Sequence, residues 1–387
     1  MTPPFAQKHI VIFVSTMAYG GAERHALNLA KHLQQRGYRL TVLVYSNHAG
    51  GGLEKEAERL KLVFLGFRGI PTMKEFQELR TFFVDNQPDV VFTVNETTNV
   101  VASAAKLAGS LRGTLINILH SSPGLIYFAH NDTSFKKSAI SLLRYWSYRI
   151  SLKLSDTLVF VSDTQKAEWT KRKLTITPTK VIRNGVDINY FSPAPDLGGK
   201  VRNELGISPQ TIVVTLVGAF RPEKNQAQLV RVVSRLRDQG YDVAAIFVGT
   251  GPDFSTVQNL AVHLTVERHC FFIGAKSDVR PYLNASDFGI LCSTSETLSL
   301  AALEFLASGV PMILSDVGAA KELVEEGVNG FVFPTGDDDA LCEILTKAIV
   351  DGTQANMRHK ARESVVDKSL AHQYDSFDRL IEQSISN

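Results

Sequence analysis

The chain has 387 residues, 44% hydrophobic and 21% charged. That composition excludes disorder, collagen and coiled coil as the main state, and at about 100–200 residues per domain it suggests two domains. The net charge of +2 conceals an asymmetry: residues 1–190 hold 24 Lys+Arg against 14 Asp+Glu, and the remainder 17 against 25, so the first half suits an anionic partner. Three cysteines, Cys270, Cys292 and Cys342, show no CxxC spacing, which argues against a disulfide framework or a structural zinc and fits a reducing compartment.

Short β-rich runs alternate with helical patterns from end to end. In the first half strands are expected at 10–15, 40–45, 62–65, 90–94, 114–119, 157–161 and 180–183. In the second half they are expected at 211–217, 243–248, 270–273, 288–291, 311–315 and 330–333. Between the first two runs Ala22, Ala26, Leu29, Ala30 and Leu33 form one helical stripe, with Gly37 as its stop. Strand–helix alternation implies right-handed βαβ crossovers and parallel sheets covered on both faces. Thirteen strands exceed the roughly ten that a twisted open sheet carries, so two separate α/β sheets are expected.

The expected division is a first domain over 1–190, a linker over 191–206, a second domain over 207–368 and a terminal helix over 369–387. The linker assignment rests on Pro193, Pro195 and Gly198-Gly199 and on a lack of periodicity. The terminal helix has Leu370, Tyr374, Phe377, Leu380 and Ile381 on one face and no strand of its own to cover, so it is expected to cross back over the first domain. Doubly wound sheets bind ligands beyond the carboxyl ends of their strands, and two such domains with those ends facing would enclose a cleft.

The most informative loop follows the 288–291 strand. Glu296 precedes a helix, Glu304 lies inside it, Gly309 ends it and Pro311 opens the next strand. The backbone N–H groups of Leu298, Ser299 and Leu300 would then sit at a helix N-terminus, which suits a phosphate. A carboxylate further in could accept hydrogen bonds from a ribose diol. Arg221 and Lys224 follow the 211–217 strand, and His120 follows the 114–119 strand, with His130 further along the same loop. Asp337-Asp338-Asp339 contains a DxD spelling but precedes a helical pattern, so it reads as a helix N-cap with a charged first turn. No cluster has metal spacing, no GxGxxG follows a strand, and neither GxSxG nor HExxH occurs.

The stretch Ser293-Thr294-Ser295-Glu296-Thr297-Leu298-Ser299-Leu300 through Glu304 to Pro311 resembles the signature of the family-four retaining glycosyltransferases. Its flanks resemble the same family in order: Val248-Gly249-Thr250-Gly251, Ile273-Gly274 to Asp287, Ser315-Asp316-Val317-Gly318, and Gly327-Val328-Asn329-Gly330. In the first half Gly20-Gly21-Ala22-Glu23-Arg24 and Arg183-Asn184-Gly185-Val186-Asp187 are similar to its glycine loop and pre-linker segment. The resemblance implies the GT-B fold of two facing Rossmann-like domains and transfer of a sugar from a nucleotide-diphosphate donor, uridine diphosphate favoured, without a metal or other cofactor. It implies that Glu304 holds the donor ribose and that Thr297, Leu298, Ser299 and Leu300 hold the diphosphate. Glu296 and His120, which the resemblance favours over His130, would orient the sugar, and Gly20, Gly21, Gly249 and Gly274 would let the backbone approach the substrates. The family usually places an arginine directly after Gly218 and a lysine five residues later. Here the lysine is Lys224, the first position is Ala219, and Arg221 stands two residues on.

The acceptor is expected to be a glycan or lipid-linked glycan, in polysaccharide or glycoconjugate biosynthesis. Basic residues interleaved with Tyr145, Trp146 and Tyr148 fit a peripheral contact with an anionic membrane at its cytoplasmic face, and no apolar run approaches the roughly 18 residues that span a bilayer. Nucleic acid is not expected as a partner. A non-catalytic binding subunit of a glycan-assembly complex and an epimerase or phosphorylase of the same fold stay open on these residues.

Overall fold

The structure is a computed structural model that describes residues 8–18, 20–46, 52–121, 135–174 and 177–386, the side chains of 135–144 and of 386 excepted. It divides into two compact units, Met1–Arg183 with Gln373–Asn387, and Asn184–His372.

The first unit is built on a seven-stranded sheet. Its strands are β1 (His9–Val14), β2 (Arg39–Val44), β3 (Leu62–Phe64), β4 (Val90–Thr93), β5 (Thr114–Leu119), β6 (Thr157–Phe160) and β7 (Thr179–Val181). All pairs are parallel, in the order β3-β2-β1-β4-β5-β6-β7. Ile10 lies between Leu40 on one neighbour and Val90 on the other, and every residue of β1 is buried. A strand covered by helices on both faces reads as an unbroken apolar run, which is why the expected strands coincide with the observed ones.

The second unit repeats the design with β8 (Ile212–Val217), β9 (Val243–Val248), β10 (Cys270–Gly274), β11 (Phe288–Leu291), β12 (Met312–Ser315) and β13 (Gly330–Phe333). The order is β10-β9-β8-β11-β12-β13, again all parallel. In each sheet the winding reverses once, between β1 and β4 and between β8 and β11. Such a switch point opens a crevice at the strands' carboxyl ends.

The stretch 191–206 is not a linker. Pro195–Glu204 is a helix of the second unit, with Pro195 in its first turn, where a missing N–H costs nothing. A Cβ on Gly198 would overlap the Asn284 carbonyl, so this glycine marks a close approach of two backbones rather than a flexible joint. Arg202 fixes the contact, donating to Ala285 O at 2.8 Å and to Asp287 at 2.7 Å. The division falls instead between Arg183 and Asn184.

The terminal helix, Leu370–Ser386, returns to the first unit from Gln373 onward. Phe377 is fully buried between the rings of His25 and Phe92, at 5.6 and 5.8 Å. Asp378 receives His32 at 3.1 Å and Arg36 at 3.2 Å, and Tyr374 stacks on His32. Among the described residues no helix is long and apolar enough to cross a membrane.

Candidate active site

The second sheet's switch point gathers most of the second-unit candidates. After β8 the chain passes Gly218, Ala219 and buried Phe220 into a single 3₁₀ turn, Pro222–Lys224. After β11 it runs through buried Cys292 and Ser293 into the loop that carries Glu296. Two backbone-directed bonds lock the loops to the scaffold: Thr294 N–H donates to Glu223 O at 2.8 Å, and Ser315 Oγ donates to Ser293 O at 2.6 Å. Thus held, Lys224 Nζ pairs with Glu296 Oε1, and Ser293 Oγ donates to the same oxygen at 3.0 Å. The two side chains retain 26% and 17% of their exposure, so this is a half-buried ion pair at the mouth of a crevice. Charges so placed are less screened than on an open surface and can be handed to a ligand.

Arg221 lies differently. Its side chain is 56% exposed and, among the described residues, its ion-pair partner is Glu223 alone, at a loose 3.9 Å. Ala219, at the family's usual arginine position, turns its carbonyl to Gln226 Nε2 at 2.8 Å.

The helix after Glu296 begins two residues later than the expected donors require. It spans Leu300–Ala307, and Ser299 is its N-cap, the hydroxyl accepting from Ala302 N–H at 3.3 Å. Leu298 and Ser299 therefore belong to the approach loop, and the orphan helical amides start at Leu300. Leu298 is buried and its carbonyl accepts from Asn184 Nδ2 at 2.9 Å. Thr297 O accepts from Ala319 N–H at 2.8 Å. Glu304 sits in the second turn, half-buried. Gly289 sets the depth of this helix: a side chain there would come within 2.6 Å of the Phe305 ring, so the bare strand backbone lets Phe305 seat the helix on β11.

Gly249 and Gly274 lie at the ends of β9 and β10. Gly249 has φ of 142°, its N–H donates to Gly274 O at 2.9 Å, and a Cβ would overlap the Gly218 carbonyl. Its backbone is thus committed to packing three strand ends together. Gly274 has φ of 78° with open space around it.

Asp337 caps the helix Asp338–Asp351 by accepting from Ala340 N–H at 2.9 Å. Asp338 is held bidentately by Arg231 at 2.6 and 3.0 Å, and Asp339 by Arg235 at 2.5 Å. The DxD spelling is consumed by a cap and two ion pairs. Among the described residues no group of three or more His, Cys, Asp and Glu could hold a metal.

In the first unit Gly20 and His120 lie at the carboxyl ends of their strands. Gly20 is the extended N-cap of the helix Gly21–Gln35, and the carboxylate end of Glu23 lies over it, a flexible cover that can swing aside. His120 closes β5, where Gln165 Nε2 donates to the carbonyls of Leu119 and Ser121 at 2.9 Å each. Its Nε2 lies 2.8 Å from Nδ1 of His25, a residue 4% exposed. Burial holds His25 down to about 4, and burial followed by the neighbouring His25 holds His120 well below the ordinary histidine value. Both imidazoles are therefore neutral near pH 7. His25 Nε2 in turn lies 3.3 Å from the amide nitrogen of Gln373. His130 lies outside the described residues.

His25 and Gln373 are the polar groups that motif reading passed over. His25 could have been found: it stands three residues after Ala22 and four before Leu29, a polar residue on the apolar stripe. Gln373 carries no local signal.

Two family models match the chain. Glycosyltransferase Family 4 matches residues 19–190 and Glycosyl transferases group 1 matches residues 199–365. An α-1,3-galactosyltransferase from Escherichia coli, named for UDP-Gal and GlcNAc-diphosphoundecaprenol, is 26% identical over 77% of this chain and 76% of its own length. The N-acetyl-α-D-glucosaminyl L-malate synthase of Bacillus anthracis is 25% identical over 72% of this chain and 68% of its own. The crystal structure of HepE from Anabaena in complex with UDP superposes with a TM-score of 0.81 at 21% identity, covering 97% of this chain and all of that one.

Proposed function

Because this chain belongs to the family-four glycosyltransferases and has their GT-B fold of two Rossmann-like domains, we propose that it moves a sugar from a nucleotide-diphosphate donor to a hydroxyl of a glycan or lipid-linked acceptor, with retention of anomeric configuration. The Lys224–Glu296 pair at the second sheet's switch point, on loops leading to a helix N-terminus, carries this reading.

In this reading the bond between the anomeric carbon and the diphosphate breaks, the acceptor oxygen bonds to that carbon on the same face, and its proton passes to the departing diphosphate. Negative charge builds on the leaving group. Lys224, with Arg221 from the same turn, neutralises it together with the first amides of the helix, at Leu300 and Ala301, a preorganised arrangement of the kind that dominates such chemistry. Glu304 holds the ribose. Glu296 turns from Lys224 to the sugar hydroxyls when the diphosphate supplies Lys224 with a new partner. His120, neutral, gives the sugar a hydrogen bond rather than a charge. Gly20, Gly21 and Gly274 leave the backbone accessible to substrate. Charge neutralisation by side chains and amides makes the reaction metal-independent, and the engagement of Asp337–Asp339 in a cap and ion pairs supports this.

A UDP-sugar is the favoured donor, in keeping with the names of the E. coli relative and of the Anabaena complex. The same relative's lipid-linked acceptor supports an anchored acceptor here and a peripheral position at the cytoplasmic membrane face. The helix Phe135–Leu154 offers Trp146 and Ile150, both more than half exposed and four residues apart, with the Arg149 guanidinium 5.7 Å from the Tyr145 and Trp146 rings. Rings at headgroup depth beside cations suit an anionic surface.

Purified protein with UDP-sugars and lipid-linked acceptors should release UDP only when an acceptor is present, with the α-configuration kept and with no loss in EDTA. Glu296→Ala should abolish transfer and retain UDP binding. Unaltered glycan synthesis in cells carrying Glu296→Ala would instead favour a non-catalytic subunit, and turnover without acceptor would favour an epimerase.

A further inference from the structure

We propose that His25 and Gln373 are positioning residues that fix the proton of His120 on Nδ1, so that His120 serves as a neutral hydrogen-bond donor and not as a base. The inference rests on the reading of His120 as a sugar-orienting residue and adds how that residue is set.

The argument is one of donors and acceptors. A side-chain amide nitrogen carries two hydrogens and no lone pair, so Gln373 Nε2, 3.3 Å from His25 Nε2, must donate. His25 Nε2 is then the bare nitrogen of its ring, and a neutral imidazole in that state carries its proton on Nδ1. That proton points at His120 Nε2, 2.8 Å away. His120 Nε2 accepts it and is bare in turn, so the His120 proton sits on Nδ1. An isolated histidine favours the opposite tautomer, with the proton on Nε2, so the chain imposes a state His120 would not choose alone.

The surroundings keep this chain from acting as a charge store. His25 is 4% exposed, its ring lies edge-on to His120 with centroids 4.8 Å apart, and Phe377 packs on it at 5.6 Å. Charging either ring would bury an unpaired cation beside the other imidazole, at a cost that keeps both neutral. Apolar side chains at 25 and 373 would fill the same space without burying polar groups. The donor at the head of the chain comes from the terminal helix, far away in sequence, and only the return of that helix to the first unit brings Gln373 to His25.

The test is made on the full chain. Long-range ¹H–¹⁵N spectra of histidine-labelled protein near pH 7.5 read the tautomer of each ring directly. Wild type should show both His25 and His120 protonated on Nδ1. His25→Phe, which keeps an aromatic ring and removes the donor, should return His120 to the Nε2–H form and lower kcat about tenfold to a hundredfold, the loss found when the partner that orients a metal-bound histidine is removed. The donor KM should stay within about twofold, since binding through the diphosphate is untouched. His25→Asn places an amide nitrogen where Nδ1 stood and should restore both the Nδ1–H form of His120 and most of kcat. Gln373→Leu, in a folded protein, should release the tautomer of His25 and lower kcat in the same direction, which keeps the test alive if His25→Phe fails to fold. The proposal is overturned if wild-type His120 carries its proton on Nε2, or if folded His25→Phe and His25→Asn are equally active. If no sugar transfer is found at all, the function assigned to the site fails, while the tautomer spectra still decide the relay.

Discussion

Replacing Gly318 by alanine should disable the site without touching a residue assigned to substrate. Gly318 has φ of 55°, and a Cβ there would overlap the carbonyl oxygen of Glu296 and lie 2.8 Å from Thr297 O. Both neighbours are backbone, so neither can swing aside, and the loop is held from the same side by Ala319 N–H on Thr297 O at 2.8 Å. Left-handed backbone costs a non-glycine residue about 1–2 kcal/mol. Forcing atoms into a filled space adds about 1–3 kcal/mol. Gly336 supplies the control: its φ is 77° and nothing lies within 4 Å of its virtual Cβ, so Gly336→Ala should cost the backbone contribution alone. Urea unfolding followed by circular dichroism should therefore place Gly318→Ala below Gly336→Ala by about 1–3 kcal/mol. Initial rates of UDP release should fall at least tenfold in Gly318→Ala, because Glu296 and Thr297 must move, and stay near wild type in Gly336→Ala. Equal stability and equal rates in the two variants would refute the reasoning that Gly318 holds the Glu296 loop in place.

Three further outcomes follow from the same geometry. Lys224→Ala should weaken UDP binding by at least about tenfold, the worth of a charge-assisted hydrogen bond, whereas exposed Arg221→Ala should change it less than about threefold; calorimetric titration decides, and a larger effect at Arg221 would transfer the main phosphate role to it. Phe377→Ala, at a fully buried site between His25 and Phe92, should destabilise the first unit by about 3–5 kcal/mol; a loss under about 1 kcal/mol in denaturant unfolding would show that the terminal helix is not integral to that unit. Wild-type protein should sediment with anionic vesicles at low salt and less so at high salt, and Trp146→Ala with Ile150→Ala should weaken it; protein left in the supernatant under all conditions removes the membrane contact.

Much of the fold is legible along the chain because parallel strands, covered on both faces, leave runs such as Ile10–Val14 that are apolar throughout. The helix Pro195–Glu204 escapes that reading because Pro195, Gly198 and Gly199 spell a break locally, and only the backbone of Asn284, far along the chain, explains why a glycine is needed there. The start of the Leu300–Ala307 helix was within reach: Ser299 is a good N-cap residue just before an apolar run. The pairing of Lys224 with Glu296 joins loops after β8 and β11, neighbours only because the winding reverses between them. Side-chain pairs of that kind follow from topology, and the chain of Gln373, His25 and His120 depends on a helix that returns from the far end of the sequence.

The central claim is that the loops after β8 and β11 hold an activated sugar. The most direct measurement is a crystal structure of the chain grown with a UDP-sugar. The account predicts ribose density at Glu304, diphosphate against Lys224 and the amide of Leu300, and sugar hydroxyls at Glu296, with the Lys224–Glu296 pair parted. A ligand bound elsewhere, with Lys224 and Glu296 still paired and that crevice empty, would contradict it.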